Sequence, residues 1–320
     1  MAMVAAEMPG TVLEPRPLAN FVETPGIRSV ADRSVAYIQS GFPVHFRGGA
    51  GTGKTTLAMH VAARLGRPVV LIHGDEETST SDLVGGEHGY WTRRVVDNFI
   101  HSVVKAEEEV SVKWVDNRLT LAAKHGFTLI YDEYTRSRPE ANNVLLSVLQ
   151  ERMLDLPGIG GAESYLRVHP DFSCIFTSNP AEYAGVYRSQ DALMDRMVTV
   201  DLGSFDQAAE VAITAARSDL GQADCVALVR LVRGLRDSGV CPIAPTVRSC
   251  IKVARAVRLL GLAVSPHDGR FLDVCKDVLV SGCTRGVEAD RAGIDEVLRR
   301  LLGEVFPALN GAGGRARRHA

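Results

Sequence analysis

The chain has 320 residues, of which 46% are hydrophobic and 23% charged, with a formal net charge of -2. That length points to two domains, and that composition to ordinary globular cores. The charge balance excludes the bulk basic field of an indiscriminate nucleic-acid binder, and no apolar run approaches the length of a bilayer span.

Residues 1–20 are Pro-rich and aperiodic, which predicts a flexible lead-in. The start, MAMVAAEMPG, has no basic stretch followed by an apolar one, so no secretory signal is expected and the chain reads as cytoplasmic. A helix over Ile27–Gln39, a strand over Pro43–Phe46, a Gly-rich turn and a helix over Lys54–Arg64 follow. PVVLIH is a second strand, and GDEETSTSD after it reads as a polar loop. Asn98–His125 mixes charge with a weak helical period, and VVKAEEEVSVKW within it looks helical. Before it, GGEHGYWTRR reads as a helix–turn packing Trp91 inward.

FTLIY, Phe127–Tyr131, is short, continuous and apolar, the pattern of a strand buried on both faces. Ser137 and Glu140 have capping-box spacing, with Pro139 in the first turn of the next helix and Val144, Leu145, Val148 and Leu149 on one face. DFSCIFTSN and MVTVDL are two more strands. From Gly203-Ser204 onward only helical patterns remain: Asp206–Ser218, Gln222–Asp237, Thr246–Leu262, Arg270–Cys283 and Arg291–Val305. Strands alternating with helices, then helices alone, predict a parallel α/β domain over 21–203, a helical domain over 204–308 and a basic flexible tail over 309–320. Cys174, Cys225, Cys241, Cys250, Cys275 and Cys283 form no C-x-x-C pair and read as small buried hydrophobes, not as a metal or disulfide framework.

GGAGTGKT, Gly48–Thr55, fits G-x-x-x-x-G-K-[ST] between a strand and an amphipathic helix. Its glycines let backbone N–H groups turn inward around phosphate oxygens at a helix N-terminus. Gly48, Gly49, Ala50, Gly51, Thr52, Gly53, Lys54, Thr55 and Thr56 are therefore expected to hold ATP, with Lys54 reaching the β/γ-phosphates and Thr55 ligating Mg2+. Asp132, at the tip of the FTLIY strand, fits the second Mg2+-holding residue, and Glu133 beside it fits the group that polarises the attacking water. Asn179, ending the next strand, can orient that water or touch the γ-phosphate, although alone before Pro180 it would read as a turn residue.

These residues together resemble the AAA+ ATPases and, within them, the MoxR-like group, over about Phe21–Leu260. The resemblance implies a P-loop AAA+ core with a C-terminal all-helical lid, and hydrolysis of ATP to ADP and phosphate. Gly48–Thr55 would be the Walker A segment, Phe127–Glu133 Walker B and Asn179 sensor 1. ALMDRM resembles the arginine-finger segment and points to Arg196, with Arg188 as the alternative; PTVRS resembles the sensor-2 segment and points to Arg248. A finger must be supplied by another subunit, so a homo-oligomer follows, a hexameric ring by family analogy. FVETPGIRSVADR, VVDNFIHSV and YDEYTRSRPEANNVLLSVLQER resemble, more narrowly, the ATPases of gas vesicles. That likeness implies action on the gas vesicle shell and its accessory proteins, with no nucleic-acid or membrane partner. The alternatives are a general MoxR-type chaperone remodelling a metalloenzyme with a von Willebrand-type partner, a nucleic-acid-directed activator, and a scaffold that binds ATP without cleaving it.

Overall fold

The computed structural model describes residues 11–97, 105–156, 164–180, 185–187, 191–284 and 290–306. The expected basic tail over 309–320, and most of the expected lead-in, lie outside them. The chain divides into two compact units, one of 1–18 with 25–203, the other of 19–24 with 204–320.

In the first unit the elements run β1 (Val12–Leu13), α1 (Pro25–Gln39), β2 (Val44–Gly48), α2 (Lys54–Leu65), β3 (Val69–His73), α3 (Thr80–Val84), β4 (Gly85–Asp97) and β5 (Lys105–Asp116). Then come α4 (Arg118–His125), β6 (Thr128–Asp132), α5 (Pro139–Asn142), α6 (Val144–Gln150), β7 (Met153–Asp155), β8 (Tyr165–Arg167), β9 (Ser173–Ser178), α7 (Asp191–Met194) and β10 (Val198–Leu202). Six strands form one sheet in the order β1-β3-β6-β9-β2-β10. Only β1 is antiparallel in it; its Val12 and Leu13, inside the segment expected to lack structure, pair with Val70 and Val69. Every residue of β6 and β9 is buried, as suits central strands with the apolar middles Leu129–Tyr131 and Cys174–Phe176. Tyr131, Tyr134 and Phe176 meet as an aromatic cluster at the sheet's centre.

Two expectations fail here. The segment read as helical is a β-ribbon: β4 and β5 pair antiparallel, with Tyr90 and Trp91 in β4 opposite Val112 and Ser111, so the helix–turn expected there does not form. In β5, Val110, Val112 and Trp114 recur every second residue, and that period overrides the helix preference of Glu107, Glu108 and Glu109. Gly85 starts the ribbon with φ +123°, and a Cβ there would sit 2.3 Å from the Val115 carbonyl oxygen. The capping box at Ser137 does not form either. The helix begins one residue later, with Arg138 as its N-cap and Pro139 first in the helix, while the Ser137 hydroxyl accepts from Tyr131 Oη at 2.8 Å. A capping box does occur where a loop was expected, at Ser79 and Asp82 before α3.

The second unit comprises α8 (Gln207–Ser218), α9 (Gln222–Asp237), α10 (Val247–Leu260), α11 (Gly269–Cys275), α12 (Ser281–Cys283) and α13 (Arg291–Val305). Lys276–Val280 forms a π-turn that breaks what reads as one helix over Arg270–Cys283. Asp206, Thr246, Asp268 and Asp290 cap four of these helices through side-chain oxygens that satisfy orphan N–H groups. The core is Val, Leu and Ile with Cys225, Cys250, Cys275 and Cys283 packed among them. Gly234 of α9 lets α13 approach, since a Cβ would stand 2.8 Å from Leu301 Cδ2. A carboxylate is also buried here. Glu210 lies between Arg233 at 3.0 Å and Arg236 at 2.8 Å, and Arg236 donates on to the Pro245 carbonyl. Among the described residues no helix is long and apolar enough to cross a membrane.

Candidate functional site

Strand β2 delivers the chain to Gly48 against β10, so tightly that a Cβ there would lie 2.5 Å from the Leu202 carbonyl oxygen. Gly51 and Gly53 both take φ +80°, a left-handed conformation that opens the loop without steric cost. Thr52 closes it by donating its hydroxyl to the Gly49 carbonyl at 3.0 Å. Helix α2 starts at Lys54 with no acid in its first turn, leaving the positive dipole end unopposed. Lys54 is 8% exposed, and its ammonium donates to the Gly48 carbonyl at 2.8 Å, the Gly49 carbonyl at 2.9 Å and Asn179 Oδ1 at 2.9 Å.

Asp132 ends β6 and is 7% exposed, a burial that a carboxylate tolerates only with partners. Strand β9 lies between β2 and β6, so the acid stands two strands from the loop rather than beside it. Side chains bridge the gap. Asp132 Oδ1 accepts from Thr55 Oγ1 at 2.7 Å and from Thr177 Oγ1, on β9, at 2.6 Å, while His73 Nδ1 stands 3.4 Å from Oδ2. Thr177 therefore uses its hydrogen on Asp132, and its oxygen accepts the Glu133 N–H at 2.9 Å.

Glu133 leaves the sheet with φ 53° and ψ 40°, a left-handed conformation costly for a side chain with a Cβ and found mostly where function demands it. Its carboxylate is half-exposed and meets Arg136 Nη1 at 3.0 Å. From the other flank Gly74 donates its N–H to the Asp132 carbonyl at 2.8 Å, and a Cβ on Gly74 would stand 2.4 Å from the Glu133 carbonyl oxygen. Beneath the loop, His45 is 1% exposed and bonded to Ser178 Oγ at 2.8 Å and Thr199 Oγ1 at 3.1 Å. Burial, with the Arg47 cation nearby, lowers its pKa to about 4, so the ring is neutral at ordinary pH.

Of the residues singled out from sequence, the structure links Lys54, Thr55, Asp132 and Asn179 through Thr177 and the loop, with Glu133 attached by its backbone. Arg196 makes its bonds elsewhere: Nε donates to Gln150 Oε1 at 2.9 Å, and the guanidinium also reaches the Ala192 carbonyl. Arg248 is exposed in the first turn of α10, in the second unit. Arg188 lies outside the described residues. Thr177, His73 and Arg136 escaped the sequence reading; each stands near a motif residue, but nothing in one sequence separates a hydroxyl that braces an acid from one that merely ends a strand.

The residues present suit a divalent cation and a triphosphate. A hydroxyl and a carboxylate oxygen are the hard donors Mg2+ takes, and the left-handed Gly51 and Gly53 shape a loop at an unopposed helix N-terminus, where phosphates bind.

The profile of the AAA domain, dynein-related subfamily, matches residues 43–197. The chain is 49% identical over 315 residues to the gas vesicle ATPase GvpN of Ancylobacter aquaticus, covering 96% of this chain and 88% of that protein. It is 44% identical to the gas vesicle ATPase GvpN2 of Halobacterium salinarum, covering 87% of this chain and 80% of that one. Among solved structures, a mutant form of Thermotoga maritima RuvB shares the fold with TM-score 0.50 at 14% identity, over 92% of this chain and 74% of that one.

Proposed function

Because the chain belongs to the GvpN family of gas vesicle ATPases, we propose that it hydrolyses Mg·ATP in a ring of its own copies and uses the turnover to assemble the gas vesicle shell in the cytosol. The observation that best supports the site assignment is a pair of side-chain bridges from the loop: Thr55 to Asp132 past β9, and Lys54 to Asn179 at the end of β9. They join the glycine loop, the acid strand and the amide into one polar cluster, which a chance Gly-rich turn would not need.

In this reading the loop N–H groups and Lys54 bind the phosphates, and Thr55 and Asp132 hold Mg2+. When bound, that ion supplies charge neutralisation for the leaving phosphate oxygens. Glu133 takes the proton of the attacking water, and Asn179 orients that water. Arg196 reaches the nucleotide of an adjacent copy, and Arg248 contributes from the helical unit. The Gln150 and Ala192 contacts hold Arg196 while no neighbour is engaged. The partners are copies of the same chain and the shell and accessory proteins.

Phosphate release from the purified chain with Mg·ATP tests the reading. Glu133→Gln is expected to bind Mg·ATP and stop hydrolysing it, and Lys54→Ala to lose nucleotide affinity. Expression of Glu133→Gln in a strain lacking the gene should give cells without buoyant vesicles; full buoyancy would detach turnover from shell growth.

A further inference from the structure

Glu133 is fixed at its backbone and loose at its tip. The N–H is bonded to Thr177 and the carbonyl to the Arg136 N–H, yet among the described residues the carboxylate's one partner is the Arg136 guanidinium. A carboxylate that must work beside a polyphosphate is repelled by it, and a cation at its back offsets that repulsion. Lys54 is directed to the loop carbonyls and Asn179, and Arg196 to Gln150 and Ala192.

We propose that Arg136 is the positioning residue for Glu133, holding its carboxylate in place against the charge of bound ATP; this rests on the reading of Glu133 as the water-activating base. Arg136 closes a tight turn of Tyr134–Arg136, so its Nη1 returns to the side chain three residues back. A second segment backs it. Tyr187 donates its N–H to the Thr135 carbonyl at 2.7 Å, and Gly185, at φ +72°, is near enough that a Cβ would lie 3.8 Å from Arg136 Nη2 and 3.6 Å from Glu76 Oε1. Residues 185–187 thus pass near the guanidinium, and Glu76 sets an acid near the same glycine.

The Arg136 side chain is 48% exposed and that of Glu133 37%, so the pair adds little to folding stability. That separates positioning from architecture. Arg136→Ala, or Arg136→Gln if the first proves insoluble, should lower kcat about 10- to 100-fold while KM for ATP and the melting temperature stay near the parent's. Arg136→Lys should recover much of the rate, since a cation returns without the fork. Adding Arg136→Ala to Glu133→Gln should slow single-turnover hydrolysis no further, because the residue acts through a carboxylate already gone. A parental or higher kcat in Arg136→Ala, or losses that multiply in the double variant, would overturn the assignment of Arg136 while leaving Glu133 in its role. Parental hydrolysis by Glu133→Gln alone would instead remove the base reading, and Arg136's task with it.

Discussion

Thr177 is the place where fold and chemistry are most tightly joined, and replacing it by valine puts a number on that. The side chain is fully buried, donates to Asp132 and accepts from the Glu133 N–H. Valine keeps the shape and removes both bonds. The Asp132 oxygen loses a charge-assisted hydrogen bond, and the Glu133 N–H loses its acceptor. Each loss costs about 1–3 kcal/mol, and they share one hydroxyl, so about 3 kcal/mol is expected in total. For a unit of this size that is roughly 6–12 °C in Tm. Thermal melts of parent, Thr177→Val and Thr177→Ser would measure it. Serine restores the hydroxyl and loses only a methyl, about 1 kcal/mol, so it should melt between the other two. Turnover should fall in the valine variant and return in the serine one. A valine variant melting within about 2 °C of the parent, or a serine variant no better than valine, would refute the account of Thr177 as a brace.

Three other outcomes follow from the same structure. Arg196→Ala should reduce turnover by about a thousandfold with nucleotide affinity intact; unchanged turnover would strike it from the finger role. Glu210→Ala leaves Arg233 and Arg236 without the buried carboxylate between them and should cost about 3–5 kcal/mol in a melt of the helical unit; a cost under about 1 kcal/mol would mean water already reaches the pair. His45, with a folded pKa of about 4 against an ordinary 6.5, binds its proton more readily when unfolded. Its neutral burial therefore supports the fold fully above about pH 6.5 and loses about 3 kcal/mol as pH falls toward 4. Stability measured across that window should fall less steeply in His45→Gln, and an unchanged slope would assign the acid sensitivity to other groups.

The parallel sheet was legible because β2, β3, β6, β9 and β10 each carry a short apolar stretch between helical patterns, and β6 and β9 are buried along their whole length. The loop at Gly48–Thr55 was legible because left-handed turns at Gly51 and Gly53 admit little but glycine. What stayed hidden was long-range. Strand order is not written in any strand, so the place of β9 between the acid's strand and the loop's could not be read. The β4–β5 ribbon was missed because Glu and Lys favour helices locally, while the alternation that decides the matter occupies only a few residues. Arg136 lay in plain view in the stretch that marks the family most sharply, but its partner is set by a turn whose closure depends on the unusual backbone of Glu133.

Gly74 has no side chain, no charge and no place in any catalytic scheme, yet it is wedged behind the acid pair like a shim. One added methyl at that position would press the Glu133 peptide outward, misaligning the carboxylates without deleting a single polar atom. The tolerance of this ATPase to change is thus bounded by clearance as much as by chemistry, and a search for its weak points that counts only reactive groups would pass over one of the narrowest.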